Sequence, residues 1–120
     1  MLLTGVVAIL ASLTLAVASV AQLYAARTAA ATAADAAALA AAVGTYPPAG
    51  FDSPGRMAAE MATANGARLL SCTCPVDHRW VIRTFGVVTA IDVEVLFFGE
   101  MTVKAAARAE FDPVGWLGIG

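Results

Sequence analysis

The first 26 residues of this chain carry no charged side chain, and 11 of the 17 that follow are alanine. A bilayer core is crossed by about 20 apolar residues in a helix, so residues 1–26 are long enough to span one. Alanine has the highest intrinsic helix propensity, so nothing between Ala25 and Val43 stops the helix once started. Read as one rod from Leu2 to Val43, the stretch is roughly 60 Å long at about 1.5 Å rise per residue. It should end at Gly44, and Pro47-Pro48 opposes resumption.

Within the rod, Gly5, Ala8, Ser12, Ala16 and Ser19 recur every three or four residues. Small residues on one stripe let a second membrane helix approach closely, so these five form the candidate helix-packing interface. Leu10, Leu13, Leu15, Val17 and Val20 occupy the other faces and suit lipid. Gln22 and Tyr24 stand where the apolar run should meet the headgroups. In the alanine-rich half, Tyr24, Thr28, Thr32, Asp35 and Leu39 share a stripe, and the smooth remainder suits close packing against neighbours. A competing reading makes the first residues a signal peptide cut near Ala16-Val17-Ala18, releasing a secreted small binding domain. The unbroken helix signal and the lack of Lys or Arg at the start weigh against cleavage.

The expected organisation is a transmembrane helix at 1–26, an alanine-rich stalk at 27–43, a linker at 44–53, a small α+β domain at 54–112 and a glycine-rich tail at 113–120. So small a domain should lean on the helix for its core. Ser53-Pro54 reads as an N-cap followed by proline in the first turn. The helix it opens puts Met57, Ala58, Met61 and Ala62 on one face, with the methionines filling a small core, and stops at Asn65-Gly66. From Ala67 the periodicity falls to two. Arg68 to Cys74 reads as a strand, and Val88 to Phe97 sets Ile91, Val93, Val95 and Phe97 against Asp92 and Glu94. Thr102 to Glu110 sets Val103, Ala105, Ala107 and Ala109 against Lys104, Arg108 and Glu110. A turn at Phe98-Gly99-Glu100-Met101 would join these two as an antiparallel hairpin, with acids of one strand facing bases of the other. Trp80 to Phe85 is a fourth strand or a loop. The fold class is therefore α+β: a long N-terminal helix, a short second helix and a three- or four-stranded antiparallel sheet.

Chemistry is sparse. Net charge is −2 and there is no basic patch with interleaved aromatics, which argues against nucleic acid as a partner. Cys72 and Cys74 form a C-x-C that serves as two small strand residues or as a disulfide or thiol pair. A closed zinc site needs about four ligands, and His78 is the only histidine, so no metal is expected. No residue pattern orients His78 against a nucleophile. No catalytic residue, cofactor or enzymatic activity is expected.

Three stretches carry a family resemblance. They are Ala26-Arg27-Thr28 through the alanine-rich run from Asp35 to Ala42, then Ala64-Asn65-Gly66-Ala67-Arg68-Leu69-Leu70-Ser71-Cys72, then Asp92-Val93-Glu94-Val95 with Val103 to Ala109. With the hydrophobic helix before them, they resemble a pilin, and more closely the actinobacterial TadE-like proteins. Those are pseudopilin-type components of tight-adherence (Flp) pilus and secretion loci. The resemblance implies a single-pass minor pilin-like structural subunit with its C-terminal domain outside the cytoplasm. It also implies membrane lipid, other pilin-like subunits and inner-membrane secretion proteins as partners, with homo- or hetero-oligomers formed through the helix. Pilin precursors usually begin with a short basic leader, whereas Met1-Leu2-Leu3-Thr4-Gly5 has no base and Arg27 lies beyond the apolar run. The expectation is a start codon further upstream, where a leader would supply the missing positive charge.

Overall fold

The computed structural model describes residues 1–44, 53–75 and 82–112. Helix α1 runs without interruption over Leu2–Gly44, and α2 over Pro54–Ala64. Three strands follow, β1 (Arg68–Thr73), β2 (Arg83–Val95) and β3 (Gly99–Phe111), forming one antiparallel sheet in the order β1-β2-β3. The architecture is α+β. The molecule is 74 Å long and 27 by 17 Å across, because half of α1 projects beyond everything else.

The C-terminal half of α1 is not a free stalk. Ala30, Ala33, Ala34, Ala37, Ala38 and Ala41 are buried, spaced by three and four as one helical face requires. Ala34, Ala37, Ala38 and Ala41 form one cluster with Ala42, with Ala58 and Ala62 of α2 and with Phe85 and Val87 of β2. Methyl side chains let helix and sheet approach closely, and Phe85 supplies the bulk that alanine lacks. The stripe of Tyr24, Thr28, Thr32, Asp35 and Leu39 points the other way and is exposed. An alanine-rich helix has too little hydropathy contrast to declare its inner face, so that face is chosen by what packs on it.

Local signals set the ends of α2. The Ser53 side chain accepts a hydrogen bond from the Arg56 N–H at 3.3 Å, and Pro54 occupies the first turn. Asn65 closes the helix, its Nδ2 donating to the Met61 carbonyl at 2.9 Å, and Gly66 follows at φ +78°. The alanines of this helix, not the methionines, enter the core. Met61 stays exposed and Met57 is half-buried, because the buried stripe of Pro54, Ala58 and Ala62, spaced by four, turns both methionines to its flank. Arg56 and Glu60 pair across one turn at 3.2 Å on the solvent face.

In the sheet, β1 carries a bulge at Leu70, between the pairs Leu69↔Thr89 and Ser71↔Val88. The extra residue shifts the inward positions, so Leu69, Cys72 and Cys74 all pack against the core. Strand β2 begins at Arg83, so Arg83 to Phe85 belong to it rather than to a fourth strand. Trp80 lies outside the described residues, as do Asp77, His78, Trp116 and Leu117, nearly all of the 44–53 linker and the 113–120 tail. Ile91 and Val93 are half-buried and Val95 is buried, facing the helices as the alternation requires. Phe97 departs from that pattern. The turn falls at Leu96, Phe97 and Phe98, with Val95 paired to Gly99, so Phe97 leaves the strand and is exposed.

Candidate functional site

The candidate site lies where the projecting half of α1 leaves the domain. Residues 1–17 are exposed along their whole length, Val17 at 68% and Leu13 at 58%. By length and composition α1 can cross a membrane. Its polar side chains suit that medium. The hydroxyls of Ser12 and Thr14 donate to the carbonyls of Ala8 and Leu10, both at 2.9 Å, so neither needs water.

The five-residue small stripe is split. Gly5 and Ala8 are exposed, and a Cβ built on Gly5 would meet no atom within 4 Å beyond its own stretch of helix. Ser12, Ala16 and Ser19 instead border an open groove of about 500 Å³ whose far wall is the aromatic pair Phe97 and Phe98. Ser19 is buried, and its hydroxyl shares a proton between the Leu15 carbonyl at 3.0 Å and the Leu96 carbonyl at 3.3 Å. One turn on, Gln22 turns inward and its Oε1 accepts the Leu96 N–H at 3.2 Å. Both backbone groups of Leu96 are thus held by the helix, which sets the hairpin tip against α1.

The opposite side of the sheet carries a polar network across all three strands. Arg68 of β1 donates through Nη2 to Asp92 Oδ1 at 2.8 Å and through Nε to Oδ2 at 3.3 Å. Thr102 of β3 donates to the same Oδ1 at 2.7 Å. These donors hold the Asp92 carboxyl below its ordinary value, Arg68 first and Thr102 next. The Arg68 guanidinium is raised in turn, chiefly by that hydrogen bond. Asp92 therefore meets its base across β1 and β2, not across the hairpin. There, Asp92 faces Thr102, and Glu94 stands opposite Glu100. The hairpin register decides this, since Val95↔Gly99 pairing brings the acids level with each other.

Cys72 and Cys74 are joined as a disulfide around Thr73, at a Cα–Cα distance of 5.3 Å. The ladder ends at Thr73, so Cys74 is not held in extended pairing and can draw close. Both cysteines pack against the core. Among the described residues no three His, Cys, Asp or Glu side chains are grouped to hold a metal ion.

No family model matches the chain, and no curated protein or solved structure gives a significant match to it.

The clamp residues Gln22 and Leu96 and the aromatic tip were not legible as a site. The available signal was the uninterrupted apolar run from Val95 to Phe98, bounded by Glu94 and by Gly99-Glu100. Turns are ordinarily built from Gly, Asn, Asp and Pro, so two phenylalanines at a hairpin tip depart from the rule.

Proposed function

We propose that the chain is a membrane-anchored, single-pass structural subunit of the TadE-like, pilin-like kind, serving a tight-adherence (Flp) pilus or a related secretion apparatus. In this role α1 is both anchor and assembly surface, the α+β domain lies outside the cytoplasm, and the chain has no catalytic function of its own. The observation that carries the reading is the continuity of α1. One unbroken helix provides the domain's alanine core at one end and an exposed, charge-free rod at the other. A rod so anchored transmits the position of the domain rigidly to whatever holds the apolar half, as a filament or priming subunit requires. The exposed small residues Gly5 and Ala8 suit close approach by a neighbouring helix in the membrane.

The test is fractionation followed by crosslinking in the native host. The expected result is full-length chain in the membrane fraction, crosslinked through α1 to pilin-like subunits and co-purifying with inner-membrane secretion proteins. A mature chain beginning near Ser19 in the culture supernatant would overturn the anchor. Replacement of both cysteines by serine should leave assembly intact; loss of a chemical activity instead would reopen an enzymatic role.

A further inference from the structure

We propose that the β2–β3 hairpin tip is a second membrane contact, inserting Phe97 and Phe98 among the acyl chains of the bilayer that α1 spans. The inference rests on the anchor reading above and adds to it a depth and an orientation.

Three independent observations carry it. The first is level. Leu96 is tied by its carbonyl to Ser19 and by its N–H to Gln22, and the two phenylalanines face a groove bordered by Ser12, Leu15, Ala16 and Leu23. Wherever a span of about 20 residues is placed within the uncharged residues 1–26, it includes residues 7–20, and with them Ser12, Leu15, Ala16 and Ser19 of that groove. The tip therefore meets α1 inside the window that must lie in hydrocarbon. An α1 seated far enough out to keep the tip in water would bring the apolar stretch from Ser12 onward out with it, leaving too few residues to cross the bilayer.

The second is backbone conformation. The turn closes with the Phe98 N–H donating to the Val95 carbonyl at 3.1 Å, and Phe97 sits at φ +70°. That left-handed slot is where glycine or asparagine fits without strain and an aromatic residue does not. Phe97 is strained there and also 78% exposed, with Phe98 at 70%. Neither cost is recovered inside the molecule, and both are offset when the rings enter an apolar medium.

The third is the boundary. Glu94 and Glu100 stand opposite each other directly behind the tip, and both are exposed. Two carboxylates at that level stop the hairpin from entering further, so only the turn from Val95 to Gly99 is immersed. Acids at the rim also mean that insertion does not draw on anionic headgroups. The occupant is the acyl region of a phospholipid bilayer, zwitterionic lipid being sufficient. With α1 and the tip both embedded, the domain is held at two points and cannot swivel about the helix axis.

The experiment uses the full chain reconstituted in phosphatidylcholine vesicles, with the photoreactive p-benzoylphenylalanine installed at one site at a time: that of Val17, of Phe97 or of Ala106. Val17 lies on the exposed rod, and Ala106 is exposed on the far part of β3, paired to Val88. The expected result is lipid adducts from the Val17 and Phe97 sites at comparable yield, several-fold above the Ala106 site. Lipid adducts at Val17 with none at Phe97 overturn the tip insertion and leave the anchor standing. Adducts at Phe97 only to a second copy of the chain also overturn it, in favour of a protein contact. Absence of lipid adducts at Val17 removes the anchor reading itself.

Discussion

The buried hydroxyl of Thr89, in the middle of β2, donates a 2.8 Å hydrogen bond to the carbonyl of Ala30 in α1. This bond pins the sheet to a helix whose alanine surface offers no knobs to set its register. A smooth helix can slide or turn under a sheet at little cost, and a directional bond removes that freedom. Thr89 with Ala30, and Leu96 with Ser19 and Gln22, mark two points along α1 between which the domain is registered.

Thr89→Val keeps the shape and deletes the bond. It should lower stability by about 1 kcal/mol, the usual net worth of a neutral buried hydrogen bond. Denaturant unfolding of the detergent-solubilised chain measures it. A larger response in hydrogen exchange along β2 than along α2 is expected, since α2 is held through its own alanines.

Ala37 is fully buried against the domain, whereas Leu39 two residues on is 61% exposed. Ala37→Leu should therefore overpack the helix–sheet interface and cost about 1–3 kcal/mol. Leu39→Ala should change stability by no more than about 0.5 kcal/mol. Thermal melts of the two variants side by side give the comparison. Equal effects would mean that the inner face of α1 is misassigned.

The Arg68–Asp92–Thr102 network makes a prediction with a definite sign. Folding depresses the Asp92 carboxyl, so the stability it contributes is complete at neutral pH, where the unfolded carboxylate is ionised too. It should be lost as pH falls below about 4, where an ordinary aspartate titrates, and through the lower folded value. Asp92→Asn should remove that part of the acid dependence, seen as a shallower decline in melting temperature between pH 5 and pH 2 (about the range over which carboxylates protonate). The raised guanidinium of Arg68 has the opposite sign, its contribution being lost only at extreme alkaline pH. All three groups are solvent-exposed, so added salt should shrink the effect.

Phe97→Gly relieves a left-handed backbone at a bulky residue and forfeits little contact within the molecule. The variant should gain about 1 kcal/mol in hairpin stability, the lower end of the strain of a left-handed residue. Slower exchange of the Phe98 amide, whose partner is the Val95 carbonyl, is the expected readout.

Much of the architecture is legible in the sequence, and the reasons are local. Ser53-Pro54 and Asn65-Gly66 bracket α2 because a side-chain acceptor and a left-handed glycine solve the end problem of any helix. The alternation of Ile91, Val93 and Val95, and of Val103 to Ala109, places one face of each strand inward because the strand period is two. The site was less legible. Gln22 looked like a headgroup residue and is a clamp; Phe97 looked like a strand residue and is the tip. Each was assigned by neighbours in sequence, while its role comes from a partner more than seventy positions away in sequence or from a turn placed by pairing across strands.

The sequence by itself determined that the chain begins with one long apolar-then-alanine helix, that a capped helix and a β-hairpin follow, and that residues 1–26 are long enough to span a membrane. Propensity, capping and periodicity act over a few residues, so these features need no partner. Only the tertiary structure decided which alanines are inside, where β1 bulges, which base meets Asp92, and that the hairpin tip lies against the apolar rod. Those outcomes depend on packing and on hydrogen bonds between distant segments, and an alanine helix carries too little contrast along its surface to announce them.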